Sequence, residues 1–230
     1  MKAFVLAAGV GSRMMPLTKE VPKPMLKLLG KPLLQYILEY LPQEVSEIIL
    51  VVGYKREIIQ SYFGESFKGK KITYLIQENP TGTADALKIC RPYLTDGERF
   101  LLTFGDDIYD KESVARCLLH PYAFLIGEVA DPRRYGVVVL EKDETILEIE
   151  EKPQQPKSNL VAPGLYIIDT TIFDYESYVD LSHECYLTPL LNQFVKRKSV
   201  FVEKVDFWLT FAYPEDLQKA EKILKSHEKG

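Results

Sequence analysis

The apolar positions change rhythm about halfway along this 230-residue chain. Up to Leu118, short aliphatic and β-branched runs alternate with segments whose apolar positions recur every three or four residues. Strands buried on both faces read as continuous apolar runs, so this alternation predicts a parallel sheet covered by helices. The runs place strands at 2–8, 47–53, 71–77 and 99–105, and helices at 32–40, 57–63 and 81–91. Leu34, Ile37, Leu38 and Leu41 share one helical face. The expected fold is a doubly wound, Rossmann-like α/β arrangement.

Beyond Leu118 the strands follow one another without comparable helices, at 123–129, 136–141, 146–151 and 161–168. Their connections are short and polar, which predicts hairpins or a mixed extension of the same sheet. A helix at 188–196, a strand at 200–205 and a charged amphipathic helix at 214–225 complete the pattern. Pro214 suits a first helical turn, where its missing N–H costs nothing. The tail at 226–230 is expected to fray. A single domain with two functional halves, 1–118 and 119–230, is the resulting expectation.

Composition narrows the partners. A hydrophobic fraction of 46% gives a chain of this length enough material for one sizeable core. The net charge of −4 supplies no general field for nucleic acid or an acidic membrane, so any anion site must be local. Cys90, Cys117 and Cys185 lack CxxC spacing, which argues against zinc and against a secreted disulfide framework; a reducing cytoplasm is expected. Lys2 and the following AFVLAAGV superficially imitate a signal peptide, but the apolar stretch is short and runs into Gly9, Gly11 and Arg13. No later stretch approaches the roughly 20 apolar residues needed to span a bilayer.

The chemistry concentrates at the start, MKAFVLAAGVGSRMMPLTKEVPKPM. Gly9 and Gly11 directly after a strand let backbone N–H groups approach phosphate oxygens. Arg13 can chelate two such oxygens in a planar fork, and Lys23 supplies a mobile point charge. Neither a Walker A loop nor a dinucleotide fingerprint is present, since no GK[ST] follows and Arg13 and Pro16 replace the third glycine and helix start. Asp106 and Asp107 follow the apolar run 100–104, at a strand's C-terminal end, where open α/β sheets bind ligands.

GxGSRxxPLTxxxPKPM resembles the signature of the sugar-phosphate nucleotidyltransferases, which join a nucleoside triphosphate to a sugar 1-phosphate and release pyrophosphate. The resemblance continues in order through QENPTGTADA (77–86), Gly105–Asp107, RYGV (134–137), EKP (151–153), Gly164–Tyr166 and 208–217, and covers nearly the whole chain. It implies catalytic roles for Arg13 and Lys23. It further implies nucleotide contacts from Ala8, Gly9, Gly11, Ser12, Arg13, Gln77, Gly82, Thr83 and Asp106. Gly136, Glu151, Lys152 and Gly164 would surround the sugar phosphate, and Asp106 would hold Mg²⁺. In relatives that use pyrimidine nucleotides, the residues corresponding to Gln77 and Gly82 hydrogen-bond to the uracil or thymine ring, whose imide edge a Gln amide can match with one donor and one acceptor.

One position departs from the pattern. The family commonly has W-x-D-x-G-T-P-E-D-L, its Asp being the second metal carboxylate; here Thr210 stands at that place. Asp206 would lie about 13 Å from Thr210 along an extended strand, too far to substitute, while Asp107 is nearer. The leading expectation is therefore a Mg²⁺-dependent enzyme using UTP or dTTP, with glucose 1-phosphate as the default partner. Two alternatives stay open: a catalytically weak regulatory homologue, and a GTP-using mannose-1-phosphate guanylyltransferase. The partners expected are the two small substrates, with no nucleic acid and no membrane, and exposed apolar surface on the second half would favour a homo-oligomer.

Overall fold

Successive side chains of the first strand enter opposite cores, as a pleated strand requires. In β1 (Lys2–Ala7), Ala3 and Val5 join one apolar cluster, whereas Phe4 and Leu6 join another. A strand buried on both sides needs helices on both, which is the three-layer arrangement predicted from the apolar runs. The computed structural model describes residues 1–176 and 185–227, with side chains described as far as residue 225.

Two short strands, β2 (Lys27–Leu28) and β3 (Lys31–Pro32), precede α1 (Leu33–Tyr40). The first half continues with β4 (Glu47–Val52), α2 (Arg56–Phe63), β5 (Ser66–Phe67), β6 (Lys70–Ile76), α3 (Thr83–Lys88), β7 (Arg99–Phe104), β8 (Asp107–Tyr109) and α4 (Lys111–Cys117). The second contains β9 (Ala123–Glu128), β10 (Gly136–Leu140), β11 (Ile146–Glu151), β12 (Leu160–Ala162) and β13 (Leu165–Asp169). It closes with α5 (Thr188–Val195), β14 (Phe201–Lys204), β15 (Trp208–Thr210) and α6 (Pro214–His227).

An eleven-stranded sheet runs in the order β11, β10, β12, β9, β13, β7, β1, β4, β6, β5, with β14 alongside β9. The centre is parallel: β1 pairs β4 and β7, and β4 pairs β6. Antiparallel β13 joins β7 to β9 and so carries the sheet into the second half, where β10 and β11 form a hairpin. This is the mixed extension anticipated from the short polar connections, within one domain. Leu34, Ile37 and Leu38 of α1, with Ile59, Phe63 and Val114, cover one face; Leu87 of α3 and Leu190, Leu191 and Phe194 of α5 cover the other. No described helix is long and apolar enough to cross a membrane.

The order of the central strands locates a binding crevice. From β1 the chain builds outward through β4 and β6, then returns to place β7 on the opposite side of β1. Beyond the C-terminal ends of β1 and β7, connections therefore leave in opposite directions and open a gap, the topological switch point of an open α/β sheet. Gly9–Arg13 and Gly105–Asp107 follow those two ends.

Several elements differ from expectation. The helix expected at 81–91 shortens to α3 because Gly82 takes φ 124° before it, and a separate turn at Arg91–Tyr93 contains Pro92. The strand expected at 161–168 breaks at Pro163–Gly164, which lets β12 pair β10 and β9 while β13 pairs β7 and β9. Short β8 and β15 and the helix α4 carry too few apolar residues for periodicity to reveal them. Asp110 caps α4 by accepting from Ser113 N at 2.7 Å, and also from Asp206 N at 3.2 Å and Phe207 N at 3.0 Å. Residues 228–230 of the tail expected to fray lie outside the described residues, and α6 is helical through His227.

Candidate active site

A cleft of about 740 Å³ occupies the switch point. That volume suits a substrate-sized molecule. Ala8, Gly9, Gly11, Ser12, Arg13, Lys23, Gln77, Gly82, Thr83, Asp106, Gly136, Glu151 and Lys152 all line it, although they span more than 140 positions of sequence. Asp107 and Thr210 line it as well. Gly164 does not: a side chain there would collide with the Phe104 ring, so its glycine serves packing behind the wall.

The loop after β1 is fixed by backbone contacts. Gly11 takes φ 68°, and a Cβ on it would lie 2.9 Å from Lys23 Cβ, so the backbone passes directly over Lys23. Thr18 Oγ1 donates to Gly11 O at 2.9 Å, and the Tyr54 hydroxyl reaches Thr18 O at 3.1 Å and Lys19 O at 3.2 Å. Arg13 projects from this fastened loop exposed, with no hydrogen bond or ion pair among the described residues. A guanidinium without a protein partner, on a rigid loop, is available to an anion.

Opposite this loop, Lys23 Nζ ion-pairs with Asp106. Its neighbour Asp107 is buried, and burial first, then the adjacent Asp106, push its carboxyl up to about 7. Trp208 Nε1 donates to Asp107 Oδ1 at 2.9 Å, and hydrogen bonding from Thr210 also favours the charged form. Thr210 is the direct cross-strand partner of Asp107 in the β15–β8 pair. Asp206 is turned away from the cleft wall, bound by Arg116 Nη1 at 3.0 Å.

Across the cleft, Gln77 is buried and its Nε2 donates to Gly82 O at 3.1 Å. Gly82 lies flat against Cys185, whose N and O would both stand 2.5 Å from a Cβ there. Cys185 N donates to Thr81 O at 2.9 Å and Ala84 N to Cys185 O at 2.8 Å, while Leu187 N donates to Thr83 Oγ1 at 2.9 Å. The 81–84 segment is thereby laced to 185–187.

In the remaining wall, Gly136 of β10 stands opposite Glu151 of β11. Glu151 accepts from the Thr188 hydroxyl and pairs with Lys152 Nζ at 3.1 Å. That ammonium also lies 4.2 Å from the Tyr186 ring centroid. Burial disfavours the charged Lys152, yet Glu151 and Tyr186 outweigh it and hold the pKa above the ordinary lysine value. Tyr54, Thr188 and Tyr186 escaped sequence reasoning because each acts through contacts that only the fold creates.

Residues 2–226 match a family model described as nucleotidyl transferase. The chain belongs to that family. As a nucleotidyl transferase it is similar to the bifunctional protein GlmU of Methanocaldococcus jannaschii, at 37% identity over 97% of this chain and 54% of the relative. It thus spans about half the length of the first curated relatives it matches. Identity to the UTP–glucose-1-phosphate uridylyltransferase AglF of Haloferax volcanii is 35%, over 98% of this chain and 97% of that one. The D-glycero-alpha-D-manno-heptose 1-phosphate guanylyltransferase of Campylobacter jejuni is 32% identical over 94% and 96%. Among solved structures, a Bacillus anthracis protein provisionally named a glucose-1-phosphate thymidylyltransferase, in complex with a sucrose, superposes with TM-score 0.85. The two are 27% identical over 97% of this chain and 94% of that one.

Proposed function

We propose that this nucleotidyl transferase makes a nucleotide sugar from UTP or dTTP and a sugar 1-phosphate, glucose 1-phosphate being the default. The observation that carries the reading is the meeting, in one cleft, of Arg13, which has no ion pair among the described residues, with the Lys23–Asp106 pair and the Lys152–Glu151 pair. An oxygen of the sugar 1-phosphate attacks the α-phosphorus in line. The new O–P bond forms as the bond from that phosphorus to the β-phosphate bridging oxygen breaks, and the electron pair leaves with pyrophosphate. The attacking phosphate is already anionic, so no side-chain nucleophile is required; the protein's task is to align two anions and offset their repulsion.

Arg13 offsets charge on the triphosphate, and Lys23 lies beside the reacting phosphates. Lys152 anchors the acceptor phosphate, while Glu151 faces the sugar hydroxyls. Gln77 reads the imide edge of the base, with Gly82 and Thr83 beside it. Pyrimidine specificity rests on Gln77 alone, since both uridylyl- and guanylyltransferases occur among the relatives.

The cleft also fits Mg²⁺. Two adjacent carboxylates, one of them buried with a raised pKa, favour a cation, and the Thr210 hydroxyl lies beside them. No cluster of three or more His, Cys, Asp or Glu suited to a metal occurs among the described residues, so substrate oxygens must complete the coordination of a hard ion. Asp106 and Asp107 would hold it, and when bound it would neutralise developing phosphate charge. Three buried cysteines suit a reducing, cytoplasmic setting. Pyrophosphate release from UTP or dTTP that depends on an added sugar 1-phosphate tests the proposal.

A further inference from the structure

The cationic side chains lining the cleft are Arg13, Lys23, Arg134 and Lys152. Two of them are neutralised: Lys23 by Asp106, and Lys152 by Glu151 at 3.1 Å. Arg134 has no ion pair among the described residues; nearby Asp131 is occupied by Arg133, at 2.7 Å from its Nε. The pair of substrates assigned above brings several negative charges, and the Lys152–Glu151 pair contributes no net positive charge to the acceptor side. Among the described residues, Arg134 is the cation left there without a task.

Its position ties it to that side. Arg134 ends the turn Pro132–Arg134, and the next residue, Tyr135, accepts from Lys152 N at 3.0 Å. Gly136 then pairs with Glu151. Arg134 and Lys152 are consequently delivered by two backbone segments hydrogen-bonded to each other. The guanidinium of Arg134 lies 5.5 Å from the centroid of the Tyr213 ring. Tyr213 is itself anchored, because its N–H and that of Ala212 donate to Asp216 Oδ2 at 2.8 Å and 2.9 Å. An aromatic partner attracts a guanidinium without accepting its hydrogen bonds, so the N–H donors stay available for oxygens.

We propose that Arg134 is a second cationic contact for the 1-phosphate of the acceptor sugar, oriented by Tyr213. The proposal rests on the transfer reaction assigned above and adds a binding and a positioning residue to it.

Initial rates test it. Wild type is first screened with UTP and dTTP against the 1-phosphates of glucose, N-acetylglucosamine, galactose and mannose, and the best pair is carried forward. Arg134→Ala is expected to raise KM for the sugar 1-phosphate about tenfold or more, as loss of a charge-assisted contact does. KM for the nucleotide and the melting temperature should stay near wild type. Arg134→Lys should recover part of the loss, Tyr213→Phe should behave as wild type, and Tyr213→Ala should show a smaller rise of the same kind. An unchanged KM for the sugar 1-phosphate in Arg134→Ala overturns the proposal. So does weakened inhibition by pyrophosphate with that KM intact, which would assign Arg134 to the leaving group. A wild type inactive on every pair removes the transfer reaction itself and the proposal with it, a failure already visible before any variant is made.

Discussion

Thr210 and Asp107 stand directly opposite each other across the β15–β8 pair. Cross-strand neighbours approach within about 4.5–5.5 Å at Cβ, and like charges so placed repel. The family pattern places an acid at 210; this chain has its acid on the facing strand, with a neutral hydroxyl opposite. The neutral hydroxyl of Thr210 therefore places no second charge against the buried Asp107.

Thr210→Asp should therefore lower metal-free stability by about 1–2 kcal/mol, or about 2–8 °C in melting temperature, through repulsion by a buried neighbour. Added Mg²⁺ should restore most of the loss. Thermal unfolding with and without a chelator checks this. A metal-free variant as stable as wild type would show that the two positions do not share charge.

Asp107 sets a pH dependence of its own. Burial, then Asp106, raises its carboxyl to about 7, above its unfolded value of 3.8. A raised folded-state pKa means that its protonated form favours folding. The contribution is fully present below about pH 4 and is lost as pH rises toward 7. In chelator, wild-type stability minus that of Asp107→Asn should decline across this window. A flat difference would contradict the assigned burial.

Asp110 runs the other way. Burial would raise its pKa, but bonds from Ser113, Phe207 and Asp206 dominate and lower it. Its stabilisation is present above about pH 4 and disappears as pH falls through the folded-state value. Asp110→Ala should cost about 1–2 kcal/mol at neutral pH through loss of the α4 cap, and less in acid. Urea titrations at neutral and acidic pH measure both.

Gly82 tests the lacing of 81–84 to 185–187. A Cβ would meet Cys185 backbone atoms at 2.5 Å, and φ is 124°. Gly82→Ala should weaken nucleotide binding about tenfold or more while costing about 1–3 kcal/mol of stability, because the 81–84 segment must lift off Cys185. Calorimetric titration with UTP reads the first effect and thermal unfolding the second. Wild-type affinity would mean that the segment does not shape the nucleotide site.

The parts legible in the sequence are those with local causes. Apolar runs reveal β1, β4 and β7 because each is buried on both faces, and the Gly9–Arg13 turn declares itself by glycine and charge. The Thr210–Asp107 pairing was hidden, since β8 and β15 are three residues each and take their strand character from one another. Gly164 shows how a motif residue can have a second, packing cause. Its motif points to sugar, whereas its need for glycine comes from the Phe104 ring behind the wall. Arg134 was visible in RYGV but acquired a partner only when the fold brought Tyr213 beside it.

The most direct measurement combines wild type with Arg13→Ala, Mg²⁺, a panel of nucleoside triphosphates and several sugar 1-phosphates, with products identified by mass spectrometry. The expected result is a UDP- or dTDP-sugar with stoichiometric pyrophosphate from wild type. Turnover should fall about 10²–10³-fold in a folded Arg13→Ala variant, as when a preorganised donor is removed from a transition state. Bound nucleotide without any nucleotide sugar from wild type, or full turnover by Arg13→Ala, would contradict the account.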